Sequence, residues 1–152
     1  MPAIYLDHAA TTPLLPQARA AMEEGFGIWA NPSSPHKAGR AARAALEDAR
    51  ARLKAALAWQ GEVVFTSGAS EALALAIARS IKPLAAVSQV EHEAVLRLAG
   101  EAARLPVDAG GMVRVAQSGG GLVAVQQVNN ETGVIQPLSE IAAGVRESGG
   151  WL

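Results

Sequence analysis

No cysteine occurs among the 152 residues, which excludes disulfides, thiolate metal sites and a sulfur nucleophile within them. No sign of charge dominates either. Thirteen basic side chains against 14 acidic ones leave a net charge of −1, so there is no electrostatic footprint for nucleic acid or for an anionic membrane surface. Neither is an expected partner. No apolar run approaches the roughly 20 residues of a membrane span, and Met1-Pro2-Ala3-Ile4-Tyr5-Leu6-Asp7 lacks the basic region and apolar core of a secretion signal. The expected compartment is therefore the cytoplasm. His8, His36 and His92 stand far apart without paired ligand spacing, so no metal site is expected. Internal repeats and low-complexity linkers are also missing.

What the chain has is apolar residues, at 50%, enough to bury a core of about one domain's size. Their pattern alternates between helical and strand periods. A helix is expected over Pro16–Gly25. A long amphipathic one follows over Pro35–Trp59, with Ala38, Ala42, Ala45, Ala49, Leu53 and Ala56 recurring between charged residues. Ser34 before Pro35 reads as its N-cap. Then come a strand at Glu62–Thr66, a helix over Ala69–Ser80 that is apolar nearly all round and so expected to be buried, and a strand at Leu84–Ser88. A short helix over Glu93–Gly100 precedes strand candidates at Ala103–Val107 and Met112–Val115. Leu122–Val128 suits a central strand covered on both faces. A helix over Leu138–Glu147 ends at Gly149-Gly150, and Trp151-Leu152 reads as the opening of another strand. Strands alternating with helices imply an α/β fold with a doubly wound, mainly parallel sheet.

In such sheets ligands collect at the carboxyl ends of strands. The run Val63-Val64-Phe65-Thr66-Ser67-Gly68-Ala69-Ser70-Glu71 breaks from an apolar strand at a glycine into a small-residue helix start. The first N–H groups of a helix lack intrahelical partners and carry the positive end of its dipole, so this is the form of a phosphate cradle, with Ser67 and Ser70 as added hydroxyl donors. The same residues also fit an ordinary βα turn with Ser67 or Ser70 as N-cap. Leu84–Ser88 leads into Glu91-His92, and Leu122–Val128 into Asn129-Asn130-Glu131. All three turns are expected on one sheet edge, where a cradle, an imidazole and a carboxamide suit a phosphorylated aromatic cofactor. Singly, His92 also fits a helix-start histidine, and Asn129-Asn130 an ordinary turn.

Five segments in order carry a resemblance. Tyr5-Leu6-Asp7-His8-Ala9-Ala10-Thr11-Thr12-Pro13, Asn31-Pro32-Ser33-Ser34 with His36 and Gly39, Phe65-Thr66-Ser67-Gly68-Ala69-Ser70-Glu71, Glu91-His92-Glu93-Ala94-Val95-Leu96 and Val128-Asn129-Asn130-Glu131-Thr132-Gly133 together resemble the N-terminal part of cysteine desulfurases of the NifS/IscS type, in the class V aminotransferase family. The resemblance runs from about Tyr5 to the last residue. It departs at Ser70, where the family has threonine, and at Gln127, where histidine is common.

The resemblance implies a pyridoxal 5'-phosphate enzyme of fold type I that turns L-cysteine into L-alanine and passes the sulfur to an enzyme cysteine as persulfide. Residues 1–15 would be an N-terminal arm and 16–152 part of the large domain. Gly68, Ala69 and Ser70 would bind the cofactor phosphate. His92 would stack on the pyridine ring and assist proton transfer, and Asn130 would meet the ring hydroxyl side and the substrate. A homodimer and a sulfur-acceptor protein are implied as partners. The aspartate facing the pyridine nitrogen, the Schiff-base lysine and the persulfide cysteine would lie beyond residue 152, so the chain as given would hold half a site. Lys37 and Lys54 fall on the charged side of the long helix, and Lys82 precedes a strand, at the opposite end of the sheet from the cradle. Two other readings stay open: another class V enzyme, such as a selenocysteine lyase or an aminotransferase, and a non-catalytic binding or dimerisation module.

Overall fold

Helix α1 (Pro16–Phe26) begins on a proline, whose fixed φ and missing N–H suit a first turn where no intrahelical bond is due. Helix α2 (Lys37–Ala56) starts later than Ser34 would place it. Ser33 N–H donates to Asn31 Oδ1 at 2.8 Å and Ser34 N–H to the Asn31 carbonyl at 3.0 Å, so Ser34 is spent on a turn. His36 caps the helix instead, its Nδ1 accepting from Gly39 N–H at 3.1 Å. Gly39 is where the turn packs on the helix: a Cβ there would fall on the Ser34 carbonyl and 2.8 Å from the Ser34 Cβ. Only Gly39 and Ala42 of α2 are buried, and Leu53 on the same apolar row is exposed.

The computed structural model describes residues 4–114 and 119–152, which divide into two compact units, one ending at Phe65 and the other running from Thr66 to Leu152. The strand expected at Glu62–Thr66 is not formed. A strand exists only through a neighbour's hydrogen bonds, and no described segment supplies one here; Val64 and Phe65 stay 71% and 47% exposed.

The second unit holds helices α3 (Ala69–Arg79), α4 (Glu93–Leu96) and α5 (Leu138–Glu147), and strands β1 (Leu84–Ser88), β2 (Ala103–Leu105) and β3 (Leu122–Ala124). The sheet runs β2-β1-β3 with both pairings parallel, and Trp151 forms a parallel bridge to Leu122 on the far side of β3, where a further strand was expected. This is the expected α/β class with a parallel sheet. Its two faces follow from strand alternation. Ala86, Leu105 and Val123 pack with Ile141 and Val145 of α5 on one face, while Val87 and Ala124 pack with Val95, Ala99, Leu73 and Ile77 beneath α3 and α4 on the other. Each fully buried valine contributes roughly 1.5–3 kcal/mol.

Leu84 shares a face with Val87, against strict alternation, because the pairing slips between Leu84 and Ala86. One extra residue, Ala85, reverses the parity. Opposite it stands Gly121, whose missing side chain makes the room: a Cβ there would fall on the Ala85 Cβ and lie 2.8 Å from the Pro83 carbonyl.

Several elements differ from the sequence reading. No residue of α3 is buried; one face meets the core through Leu73 and Ile77, and nothing described covers the rest of its apolar surface, so Leu75 is exposed. Helix α4 stops at Leu96, after which Leu98 and Ala99 N–H bond three residues back, a tighter turn than the α-helix. The strand expected over 112–115 reduces to an antiparallel bridge between Val113 and Val107, with Val115 outside the described residues. β3 ends at Ala124 instead of Val128, since Gln126 turns its N–H to a carboxylate and Val128 pairs antiparallel with Ile135.

Candidate functional site

Adjacent strands β1 and β3 send their chains in opposite directions. The chain after β1 crosses α4 on one face to reach β2, and the chain after β3 crosses α5 on the other to reach Trp151. Neighbouring parallel strands whose connections diverge leave a crevice at their carboxyl ends. A cleft of about 460 Å³ lies there, lined by Gln89–Glu93 and Leu96 from the β1 side and by Asn129–Thr132 from the β3 side. The structure thus brings His92 and Asn130 into one cleft.

His92 is the N-cap of α4. Its Nδ1 accepts from Ala94 N–H at 3.1 Å, so in the neutral ring the proton sits on Nε2, which has no partner among the described residues. Asn130 is exposed in the turn from Asn129 to Val134. That turn is closed by Gly133 N–H to the Asn129 carbonyl and by Asn129 N–H to the Val134 carbonyl, both 2.9 Å, with Gly133 at φ +74° where a side chain would be strained.

Three residues have roles that the sequence pattern did not assign. Asn129, 8% exposed, is the organiser of the pair: its Oδ1 accepts from Glu131 N–H, Thr132 N–H and the Thr132 hydroxyl, and its Nδ2 donates to the Val90 carbonyl at 3.1 Å. The Gln126 side-chain amide donates to that carbonyl too. Glu91, also 8% exposed, accepts the Gln126 backbone N–H at 2.5 Å. Burial raises its pKa above the ordinary 4.5, opposed by that hydrogen bond and by the neighbouring His92. The available signal was a carboxylate beside a histidine just past a buried strand, where a charged group must find a donor.

The cradle residues lie at the start of α3 and do not line this cleft. Gly68 is the N-cap in an extended conformation with open space at its Cα, and Ala72 N–H already bonds the Gly68 carbonyl. The N–H groups of Ala69, Ser70 and Glu71 are left without intrahelical acceptors, as at any helix start. The Ser67 hydroxyl is not a free donor: it and the Ser67 N–H both donate to Glu71 Oε2 at 2.6 Å. These bonds hold the exposed Glu71 carboxyl below its ordinary value, the hydroxyl contributing most. Ser70 keeps its hydroxyl uncommitted. Lys82 is engaged elsewhere, its Nζ donating to the Gly149 carbonyl at 2.8 Å and the Gly120 carbonyl at 3.0 Å, above the Trp151 ring. No group of metal-ligating side chains forms among the described residues, and no described helix is long and apolar enough to cross a membrane.

A parallel α/β sheet with its cleft at the strand switch is the frame of many cofactor-binding enzymes, and comparison with known proteins narrows it. The family model for aminotransferase class V matches residues 4–152, and the chain belongs to that family. It is 38% identical to the cysteine desulfurase IscS of Dictyoglomus turgidum over 95% of this chain and 42% of that protein. Against the putative cysteine desulfurase IscS 1 of Bacillus subtilis it is also 38% identical, over 97% of this chain and 44% of that one. Among solved structures it is similar to the NifS-like protein of Rickettsia africae, with TM-score 0.79 and 27% identity over 97% of this chain and 46% of the other. SspA, solved in complex with cysteine, gives TM-score 0.77 and 28% identity over 94% of this chain and 47% of the other. The chain spans less than half the length of the curated relatives it matches here, and corresponds to their N-terminal part.

Proposed function

We propose that this chain is the N-terminal part of a pyridoxal 5'-phosphate-dependent cysteine desulfurase, converting L-cysteine to L-alanine and passing the sulfur to an enzyme cysteine as persulfide. The observation that carries the reading is the cleft at the β1/β3 switch, in a class V aminotransferase chain, with an aromatic imidazole and a carboxamide on its two sides. The donor types suit the cofactor, drawn from the cleft and, outside its lining, from the start of α3. The N–H groups at Ala69 and Ser70, the Ser70 hydroxyl and the open backbone at Gly68 would hold its phosphate, His92 would stack on its ring, and Asn130 would meet its hydroxyl side and the substrate.

When bound, pyridoxal phosphate supplies the electron sink for bond cleavage next to the amino group. The rest belongs to the protein. With Nδ1 tied to Ala94 N–H, His92 has only Nε2 to hold or deliver a proton, and the cap fixes the ring's direction. Asn130 carries no charge and can donate or accept, so it orients without competing for the proton. The lysine, aspartate and cysteine of the reaction belong beyond Leu152 in this reading, and Lys82, held by two carbonyls, is not the lysine. Residues 1–15 act as an arm to a large domain that continues from residue 16. The complete enzyme is a cytoplasmic homodimer delivering sulfur to an acceptor protein for iron–sulfur cluster or thio-cofactor assembly, a role in keeping with relatives named IscS.

The test is product analysis with L-cysteine, using the protein at its relatives' length and pyridoxal phosphate. The reading expects alanine in step with sulfur released to thiol, and a loss of kcat of at least about tenfold in His92→Ala, as for removal of an acid–base group. Keto-acid formation without sulfur release would instead make it an aminotransferase.

A further inference from the structure

The two sides of the cleft come from chain segments about forty residues apart, each held on its own strand by local bonds: Gln89 N–H to the Leu105 carbonyl and Glu91 N–H to the Ser88 carbonyl on one side, Gly133 N–H to the Asn129 carbonyl on the other. The turn 89–92 follows β1 directly, and Gln126 lies two residues past the end of β3. Three hydrogen bonds join them: Glu91 Oε1 to Gln126 N–H, and the Val90 carbonyl to the side-chain amides of Gln126 and Asn129. Two of the three end on one backbone carbonyl, so across the cleft Val90 is held at a single point. The bond from Glu91 lies one residue further along and adds a second point of attachment between the two sides. It also adjoins His92 in the chain. Glu91 is buried although it is a carboxylate, and its one donor among the described residues is Gln126 N–H. A side chain of this kind at a cleft wall costs desolvation that only a specific geometry offsets.

We propose that Glu91 is a positioning residue: by accepting Gln126 N–H it locks the turn after β1 to the chain leaving β3 and so fixes His92 against Asn130 across the cleft. The functional consequence rests on the proposal that this cleft takes the pyridoxal ring; the mechanical one does not. Removing the acceptor leaves both loops folded on their own strands but lets the two cleft groups part. Glutamine at 91 keeps an acceptor oxygen at the same reach and should keep the lock without charge. Aspartate keeps the charge but is one methylene too short.

The experiment compares the wild-type chain with Glu91→Ala, Glu91→Asp and Glu91→Gln by amide and histidine-ring NMR, first without ligand. In the alanine and aspartate variants, Gln126 N–H should exchange about tenfold faster or more, as expected for loss of a bond to a charged acceptor. The His92 ring and Asn130 side-chain signals should shift together, while Val87 and Leu105 in the sheet stay in place. Glu91→Gln should restore all of these. Unchanged His92 and Asn130 signals in an aspartate variant that has lost Gln126 protection would overturn the proposal, as would a glutamine variant that behaves like aspartate; should alanine fail to fold, that comparison still decides. A pyridoxal phosphate titration follows. Weaker binding by about tenfold in aspartate with recovery in glutamine extends the lock to the cofactor. Equal affinity across the variants would overturn its bearing on the cofactor. Absence of binding by wild type would count against the cofactor reading alone, with the lock judged by the ligand-free signals.

Discussion

Gly121→Ala is the most direct probe of the register that places the cleft. Gly121 faces the extra residue Ala85, and an alanine Cβ would overlap the Ala85 Cβ and come 2.8 Å from the Pro83 carbonyl. Neither obstacle is the free end of a flexible side chain. Relief requires β1 and β3 to move apart at the slip in their pairing, and overpacking of this kind costs roughly 1–3 kcal/mol. The affected unit, Thr66–Leu152, is in the size class where each kcal/mol moves the Tm by about 4–8 °C, so a fall on the order of 10 °C is expected. Gly144→Ala is the control, because Gly144 lies within α5 with nothing within 4 Å of its would-be Cβ. There alanine should stabilise by about 0.5–1 kcal/mol through its better helix propensity. Thermal melts followed by circular dichroism read both. A Gly121→Ala chain that melts with wild type would refute the account of the sheet register.

Gly39→Ala should destabilise the start of α2 by a comparable 1–3 kcal/mol, since its Cβ meets the Ser34 backbone; urea titration of helix signal checks this. Glu91 has a pKa raised by burial, so its contribution to stability is fully present below the ordinary value of 4.5 and is lost as pH rises through the raised folded value. Melts between pH 4 and 8 should therefore show Glu91→Gln gaining on wild type as pH rises, and a gap of the opposite slope would contradict the burial cost. For Glu71 the sign is reversed: its lowered pKa supports the α3 start above the ordinary value, so the difference between wild type and Glu71→Gln should vanish as pH falls through the folded value. Lys82→Met removes the donors to Gly120 and Gly149, and because hydrogen bonds from a charged group count for roughly 1.5–3 kcal/mol when unscreened, this half-buried one should cost near the lower figure by denaturant midpoint.

The α/β class and the helices α2, α3 and α5 were legible from apolar period and breakers alone. So was the opening of a further strand at Trp151. Other features depend on partners that no local pattern contains. Val63–Phe65 has strand composition, yet pairing is a property of two segments, and no described neighbour answers it. The apolar α3 stays half covered for the same reason. The His36 cap was hidden because Ser34 and Pro35 look like a better one; the Asn31 turn takes Ser34 first. At the site, His92 and Asn130 were readable as polar residues past apolar strands. Their supports were not: Asn129 looks like an equal twin of Asn130 until burial separates them, and Glu91 meets Gln126 only across 35 positions of sequence.

Under the proposed function, the cleft between the β1 and β3 loops and the start of α3 together serve pyridoxal phosphate. A pyridoxal phosphate titration followed by NMR, repeated with His92→Ala, Asn130→Ala and Ser70→Ala, tests it most directly. Shifts confined to Gly68–Ser70, His92 and Asn130 are expected, with weaker binding in each variant. Shifts centred elsewhere, or undiminished affinity in all three, would contradict it.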